Sequence, residues 1–270
     1  MAEPKDMSFL DHLEELRGRL FKAVLGMMAG IVLVVVYHDF VVFKIIMGPR
    51  NPEFPTYKAF CFWSHKMGLG DSLCLQAPDC IIQSTTMSGT INADILVCII
   101  GGFIVGFPWV FWQLWSFIKP GLKQNEVKSV RGVVYYVSLL FFTGVAFGYF
   151  ILAPLSIQFL CNYTFADVAQ QPTLLSYLKL TTSLVLGTGL VFQLPVLVYF
   201  LTKIGMVSSK FLKKYRKHAF VLNLIVAAII TPPDVTSQLL VAMPILLLYE
   251  LSIVIAKRVE KRKLAMGNGQ

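Results

Sequence analysis

Residues 11–38 read "DHLEELRGRLFKAVLGMMAGIVLVVVYH": a crowded run of charges, then a run from Ala23 to Val36 with no charged side chain. About 20 apolar residues in helical form cross the ~30 Å hydrocarbon core of a bilayer. The window at 20–40 meets that length, and further apolar windows fall at 93–115, 132–153, 176–201, 218–230 and 236–256. With 56% hydrophobic and 14% charged residues, the chain is too apolar for a soluble domain. The reading is an all-α polytopic membrane protein, one membrane domain over 1–270 with six transmembrane helices. A cleaved signal peptide is the rival for the first span. Glu14, Glu15 and the lack of a small-residue cleavage site after Val36 argue for a retained span.

The net charge of +9 does not indicate nucleic acid, because its placement follows the membrane. If the N-terminus is inside, nineteen of the 24 basic residues fall on inner segments, around Arg17, Lys123, Lys213 and Arg262. The positive-inside rule then gives an N-in/C-in topology. The long outer loop, 41–92, carries Pro49, Pro52, Pro55 and Pro78 and should form an irregular cap with short helical pieces. The inner connections are short, so "SFIKPGLKQNEVKSV" and "TKIGMVSSKFLKKYRK" each close a helical hairpin.

On this topology Cys61, Cys74, Cys80 and Cys161 are external and Cys98 lies in a span. Four thiols permit three pairings, and one disulfide within the outer loop is expected. No metal site is expected, since no histidine cluster accompanies the cysteines.

Three glycine pairs, Gly26 with Gly30, Gly102 with Gly106 and Gly144 with Gly148, have the spacing that lets helix backbones approach. Trp109, Trp112 and Trp115 suit an interfacial belt. The fifth window is short: Ala219 to Ile230 gives about 18 Å of helix before the proline pair at 232–233. Snorkelling side chains or a locally thinned bilayer must make up the difference.

No nucleotide loop, zinc-protease motif or nucleophile elbow is present, and Ser183 and His218 lack a nucleophile–base setting, so an enzyme is not expected. Gln193, Glu250, Asp94 and Lys179 could instead line a path for a small solute or ion, although no paired discontinuous helices support that alternative. A pure assembly scaffold is the third reading.

The opening charges have a bland explanation. Phe9, Leu13, Leu16 and Leu20 make an apolar stripe, Ser8 and Asp11 suit a capping box, and Glu15 with Arg19 is an i,i+4 pair. Yet carboxylates beside an anionic membrane face repel lipid and attract basic ligands. Glu126, the only acidic residue between Asp94 and Asp167, supplies a second carboxylate on that face. Two such groups could each hold a guanidinium through bidentate hydrogen bonds.

"SFLDHLEELRGRL", "WSFIKPGLKQNE", "YFILAPLSIQFL", "FQLPV" and "TPPDVTSQLLVAMPILLLYE" occur in order from about residue 8 to 250. Together they resemble the TatC family, the polytopic receptor component of the twin-arginine protein translocase. The resemblance implies binding of paired arginines in signal peptides of folded precursors at the cytoplasmic face of a bacterial inner membrane. It also implies TatA/TatB-type single-span partners, self-association, proton-motive-force-driven export and no cofactor. By motif position it places signal binding on Glu15, Arg17, Arg19, Phe117 and Glu126, with the two arginines orienting the carboxylates. Gln193 stands where the family often has a glutamate, and an amide does not titrate there. It could contact a partner, or repair the Val191 carbonyl that Pro195 leaves without a helical donor. Pro232, Pro233 and Asp234 are expected to end one span and cap the next. Glu250 should pair with a basic group near the inner end.

Overall fold

A computed structural model of the chain describes residues 9–68, 70–74, 80–119, 132–163, 171–231 and 235–267, with side chains described at 14–68, 70–71, 74, 80–119, 132–163, 171–231 and 238–263. The described residues are overwhelmingly helical, and five stretches are long and apolar enough to cross a membrane. These are Glu14–Val36, Gly89–Ile118, Val133–Asn162, Leu174–Ile204 and Gln238–Lys263.

Helix α1 (Phe9–Val36) lies antiparallel along α3 (Gly89–Ile118), its principal partner. The contact is close because both helices bring glycines to it. A Cβ on Gly30 would stand 2.3 Å from the Gly102 carbonyl oxygen, and one on Gly106 would lie 3.1 Å from that of Gly26. The glycine spacing thus becomes a backbone-to-backbone crossing, the arrangement that substitutes for hydrophobic burial within lipid.

Helix α4 (Val133–Phe147) continues through a π-helical turn, Gly148–Leu152, into α5 (Ala153–Asn162). The helix therefore runs past the apolar window that ended at 153. It packs against α6 (Leu174–Val191), where the Thr188 hydroxyl donates to the Gly144 carbonyl at 3.0 Å. Phe107 of α3 stacks on Phe141 of α4 at 3.6 Å between centroids. After a tight turn at 192–193, α7 (Leu194–Ile204) completes the same span and ends on Gly205 at φ +88°, a left-handed cap that glycine adopts without strain.

Short α8 (Ser209–Lys214) leads to α9 (Arg216–Ile230), which returns against α10 (Val235–Gly267). Helix α9 starts two residues before the apolar window at 218–230 because Arg216 and Lys217 extend the ladder, giving fifteen residues, about 22 Å. That remains short of a bilayer. Pro232, Pro233 and Asp234 lie outside the described residues.

The segment between α1 and α3 folds as a cap. It holds a π-helical turn (Phe40–Ile46), a 3₁₀ turn (Gly48–Arg50), helix α2 (Pro55–Lys66) and a second 3₁₀ turn (Gly70–Leu73). Irregular backbone leaves carbonyls without helical donors, and tyrosines supply them. Tyr149 donates to Ile45 at 2.6 Å, Tyr177 to Ile46 at 3.0 Å, and Tyr57 to Pro49 at 2.6 Å. Burial pushes the Tyr57 phenol up to about 12, which keeps it a donor at ordinary pH. In return, Thr56 of α2 donates to the Phe150 carbonyl. Pro154 lies four residues beyond and has no N–H to offer it.

Disulfides join Cys61 to Cys74 inside the cap and Cys80 to Cys161 between the cap and the end of α5. The stretch after Cys80 is also pinned to the entry of α6, with Leu174 N–H donating to Gln83 O at 2.8 Å.

Candidate functional site

Because the spans alternate in direction, the start of α1, the end of α3, the α7–α8–α9 connection and the end of α10 gather at the end of the bundle opposite the cap. Glu15 and Arg19 face each other one helical turn apart, and both are half-buried. Arg19 donates to Glu15 Oε1 from Nε at 2.9 Å and from Nη2 at 2.7 Å. Both bonds end on the same oxygen. Oε2 accepts none from the described residues.

Arg17 and Glu14 are exposed on the same helix. Phe117 is half-buried near the end of α3. The α1–α3 register carries it toward Glu15: Lys22 meets Trp109, Glu15 is seven residues before the first, and Phe117 is eight after the second. Glu126 lies outside the described residues, as do Ser8 and the Asp11 side chain.

The three tryptophans do not form one belt. Trp109 and Trp112 meet edge-to-face at 5.1 Å and are exposed, whereas Trp115 is buried against Phe200 of α7 at 4.9 Å. Trp115 therefore ties α3 to α7.

Gln193 does not repair Val191. Its Nε2 donates across helices to Val137 O at 3.3 Å and weakly to Gly189 O at 3.5 Å, while the buried Oε1 accepts nothing among the described residues. The tight turn at 192–193 lets the amide reach α4 as well as Gly189 of its own span, and not Val191. An apolar groove lined by Val137, Pro195, Tyr199 and Leu251 lies alongside.

Glu250 pairs with Arg216 of α9, Nη2 to Oε2 at 2.7 Å. Such a pair keeps a carboxylate tolerable near lipid. Asp94 meets His38 at 3.4 Å near the cap, and Lys179 is exposed on α6. Three of the four polar groups that a solute path would have to share are thus engaged with separate partners, and the fourth, Lys179, is exposed.

Some positioning groups had no sequence signal. Glu260 of α10 accepts from the Ser209 backbone N–H at 2.7 Å and from its hydroxyl, fixing the start of α8 across 51 residues. Tyr249 donates to Leu212 O at 2.8 Å beside it. His65 and Asp71 join the cystine of α2, a grouping that the i,i+4 spacing of Cys61 and His65 could have indicated.

Five membrane-length helices, glycine crossings and a charged end facing a disulfide-bonded cap define a multi-pass helical membrane protein. The family model "Sec-independent protein translocase protein (TatC)" matches residues 11–244, and the chain belongs to that family. Among curated relatives, TatC of Blattabacterium sp. subsp. Periplaneta americana is 39% identical over 97% of this chain and 99% of its own length. TatC of Helicobacter pylori is 42% identical over 66% of this chain and 72% of its own. The crystal structure of the twin arginine translocase receptor TatC superposes with a TM-score of 0.72 at 28% identity, covering 92% of this chain and 99% of that one. The protein is a component of the Sec-independent protein translocase, a transport subunit and not an enzyme.

Proposed function

We propose that the chain is the receptor subunit of this translocase, binding the paired arginines of signal peptides from folded precursors at the cytoplasmic face of a bacterial inner membrane. Glu15 and Glu126 each take one guanidinium, Arg17 and Arg19 orient the carboxylates and the neighbouring loop, and Phe117 packs beside the bound segment. One observation carries this reading: Glu15 is half-buried and held by Arg19 through a single oxygen, leaving Oε2 for an incoming donor. A carboxylate already fixed in place loses little freedom on binding.

In the same reading the chain crosses the membrane six times with both termini inside, α9 being the short fifth span. The basic groups between Lys203 and Lys217 and at the end of α10 support that orientation. TatA/TatB-type single-span partners pack on the membrane-embedded faces. The apolar groove beside Gln193 supports a contact there. Proton-motive force drives export, with Gln193 hydrogen-bonding rather than titrating.

The test compares binding of a paired-arginine signal peptide and its paired-lysine twin to purified wild-type, Glu15→Gln and Glu126→Gln proteins. The receptor reading requires an arginine preference that either substitution removes. Equal, weak binding throughout would leave α1 as a solvated amphipathic element and favour a scaffold.

A further inference from the structure

We propose that Cys61, His65, Asp71 and Cys74 form a redox-gated site for a thiophilic divalent cation, Zn²⁺, on the cap. Cys61 and His65 stand one turn apart on the same face of α2. The chain then reverses through Gly68 and Gly70, whose φ values of +72° and +59° suit glycine. This reversal presents Asp71 and Cys74 to that face.

The turn is secured without the sulfurs. Cys74 N–H donates to Asp71 O at 3.0 Å, and the Ser64 hydroxyl donates to Gly70 O at 2.5 Å. The four side chains therefore stay gathered when the S–S bond opens.

The spacing of their ligating atoms suits one ion. All lie within 4.8 Å of one another. Cys74 Sγ is 3.7 Å from Asp71 Oδ1, and the His65 ring lies against both sulfurs, its Nδ1 3.7 Å from Cys61 Sγ and 3.9 Å from Cys74 Sγ. Metal–ligand bonds of about 2.0–2.3 Å in a tetrahedron give edges of roughly 3.3–3.8 Å. His65 Nδ1–H donates to the Cys61 carbonyl at 2.8 Å, the arrangement that orients a metal-bound imidazole, and this leaves Nε2, 3.3 Å from Asp71 Oδ1, as the ligating atom. Only the two sulfurs are too close, because they are bonded to each other.

A cystine offers no thiolate, so the oxidised cap leaves only the imidazole and the carboxylate as ligands. A dithiol reductant supplies two electrons and two protons, the S–S bond breaks into two thiols, and the reductant becomes a cyclic disulfide. Zn²⁺ then displaces both thiol protons to water. Oxidation back to the cystine removes both sulfur ligands and releases the ion. The side chains of His65 and Asp71 are 59% and 88% exposed, so the ion reaches the site directly from solvent.

The test uses the full chain in detergent, reduced anaerobically with a phosphine that is then removed, and titrated with Co²⁺. The reduced wild type should take up one Co²⁺ per chain with thiolate-to-cobalt charge-transfer and tetrahedral d–d absorption, both abolished by Zn²⁺. The oxidised protein should show neither. The Cys80→Ser/Cys161→Ser variant should bind as wild type, and Cys61→Ser/Cys74→Ser should not bind. His65→Ala and Asp71→Asn, at exposed positions that do not endanger folding, should each weaken binding about 10-fold or more. A silent reduced wild type, a signal surviving in Cys61→Ser/Cys74→Ser, or His65→Ala and Asp71→Asn variants that bind as tightly as wild type would each overturn the proposal.

Discussion

The indole of Trp109 donates to the Lys22 carbonyl at 3.0 Å, while its Cδ1 lies 2.0 Å from where a Cβ on Gly26 would stand. One ring thus ties α1 to α3 and requires a glycine beneath it. Four residues along α1, Gly30 meets backbone instead of side chain, and backbone cannot rotate away. Gly30→Ala should destabilise by about 1–3 kcal/mol through overpacking. Gly18→Ala, with nothing within 4 Å of its Cβ position, should stabilise α1 by about 0.5–1 kcal/mol. Thermal unfolding in detergent micelles separates the two, and equal effects would refute the close crossing.

Arg19 acts on Glu15 more than on stability. An i,i+4 helix pair contributes only about 0.3–0.5 kcal/mol, so Arg19→Gln should leave unfolding nearly unchanged. It should still weaken paired-arginine peptide binding, though less than Glu15→Gln does, because the carboxylate stays but loses its orientation. Isothermal titration with the three proteins reads this order, and an Arg19→Gln protein binding as wild type would remove the orienting role.

Thr56 supplies the donor that Pro154 withholds from Phe150. Thr56→Val keeps the shape and loses the hydroxyl, leaving a carbonyl unpaired at a cost of about 1–2 kcal/mol. Backbone amides of α2 should then exchange faster by mass spectrometry, and Thr56→Ser should restore protection.

The Cys80–Cys161 bridge closes a loop of 81 residues and Cys61–Cys74 one of 13. Longer loops lose more unfolded-state entropy when closed. Cys80→Ser/Cys161→Ser should therefore lower stability by about 3–4 kcal/mol, and Cys61→Ser/Cys74→Ser by less. Denaturation under non-reducing conditions gives the order.

Helix α9, at about 22 Å, should draw the bilayer inward beside α9 and α10 if it spans. Depth measurements on spin-labelled lipid next to this hairpin test it. Normal thickness there would leave snorkelling as the explanation.

Much of the architecture was legible because lipid simplifies the code: long apolar windows and glycine pairs announce spans and crossings without detailed packing. Glu250 announced its need for a cation, and Arg216 meets it. Cross-chain relationships were harder to see. Nothing local says that Cys80 reaches Cys161, that Glu260 holds Ser209, or that Trp115 turns inward to Phe200. Gln193 misled for a definite reason: the freed carbonyl nearest in sequence was Val191, but the turn directs the amide to Val137. At the charged end the sequence marked Glu15, while the single-oxygen grip of Arg19 depends on side-chain rotamers that spacing does not set.

The tyrosine seats of the cap carry a further consequence. Tyr149, Tyr177 and Tyr57 grip the carbonyls of Ile45, Ile46 and Pro49, an atom that every residue possesses. The rim is therefore gripped by a part of the chain that substitution does not alter. The exposed side chain of Ile45 is free to change without loosening that grip, whereas those of Ile46 and Pro49 are buried and held by their own packing.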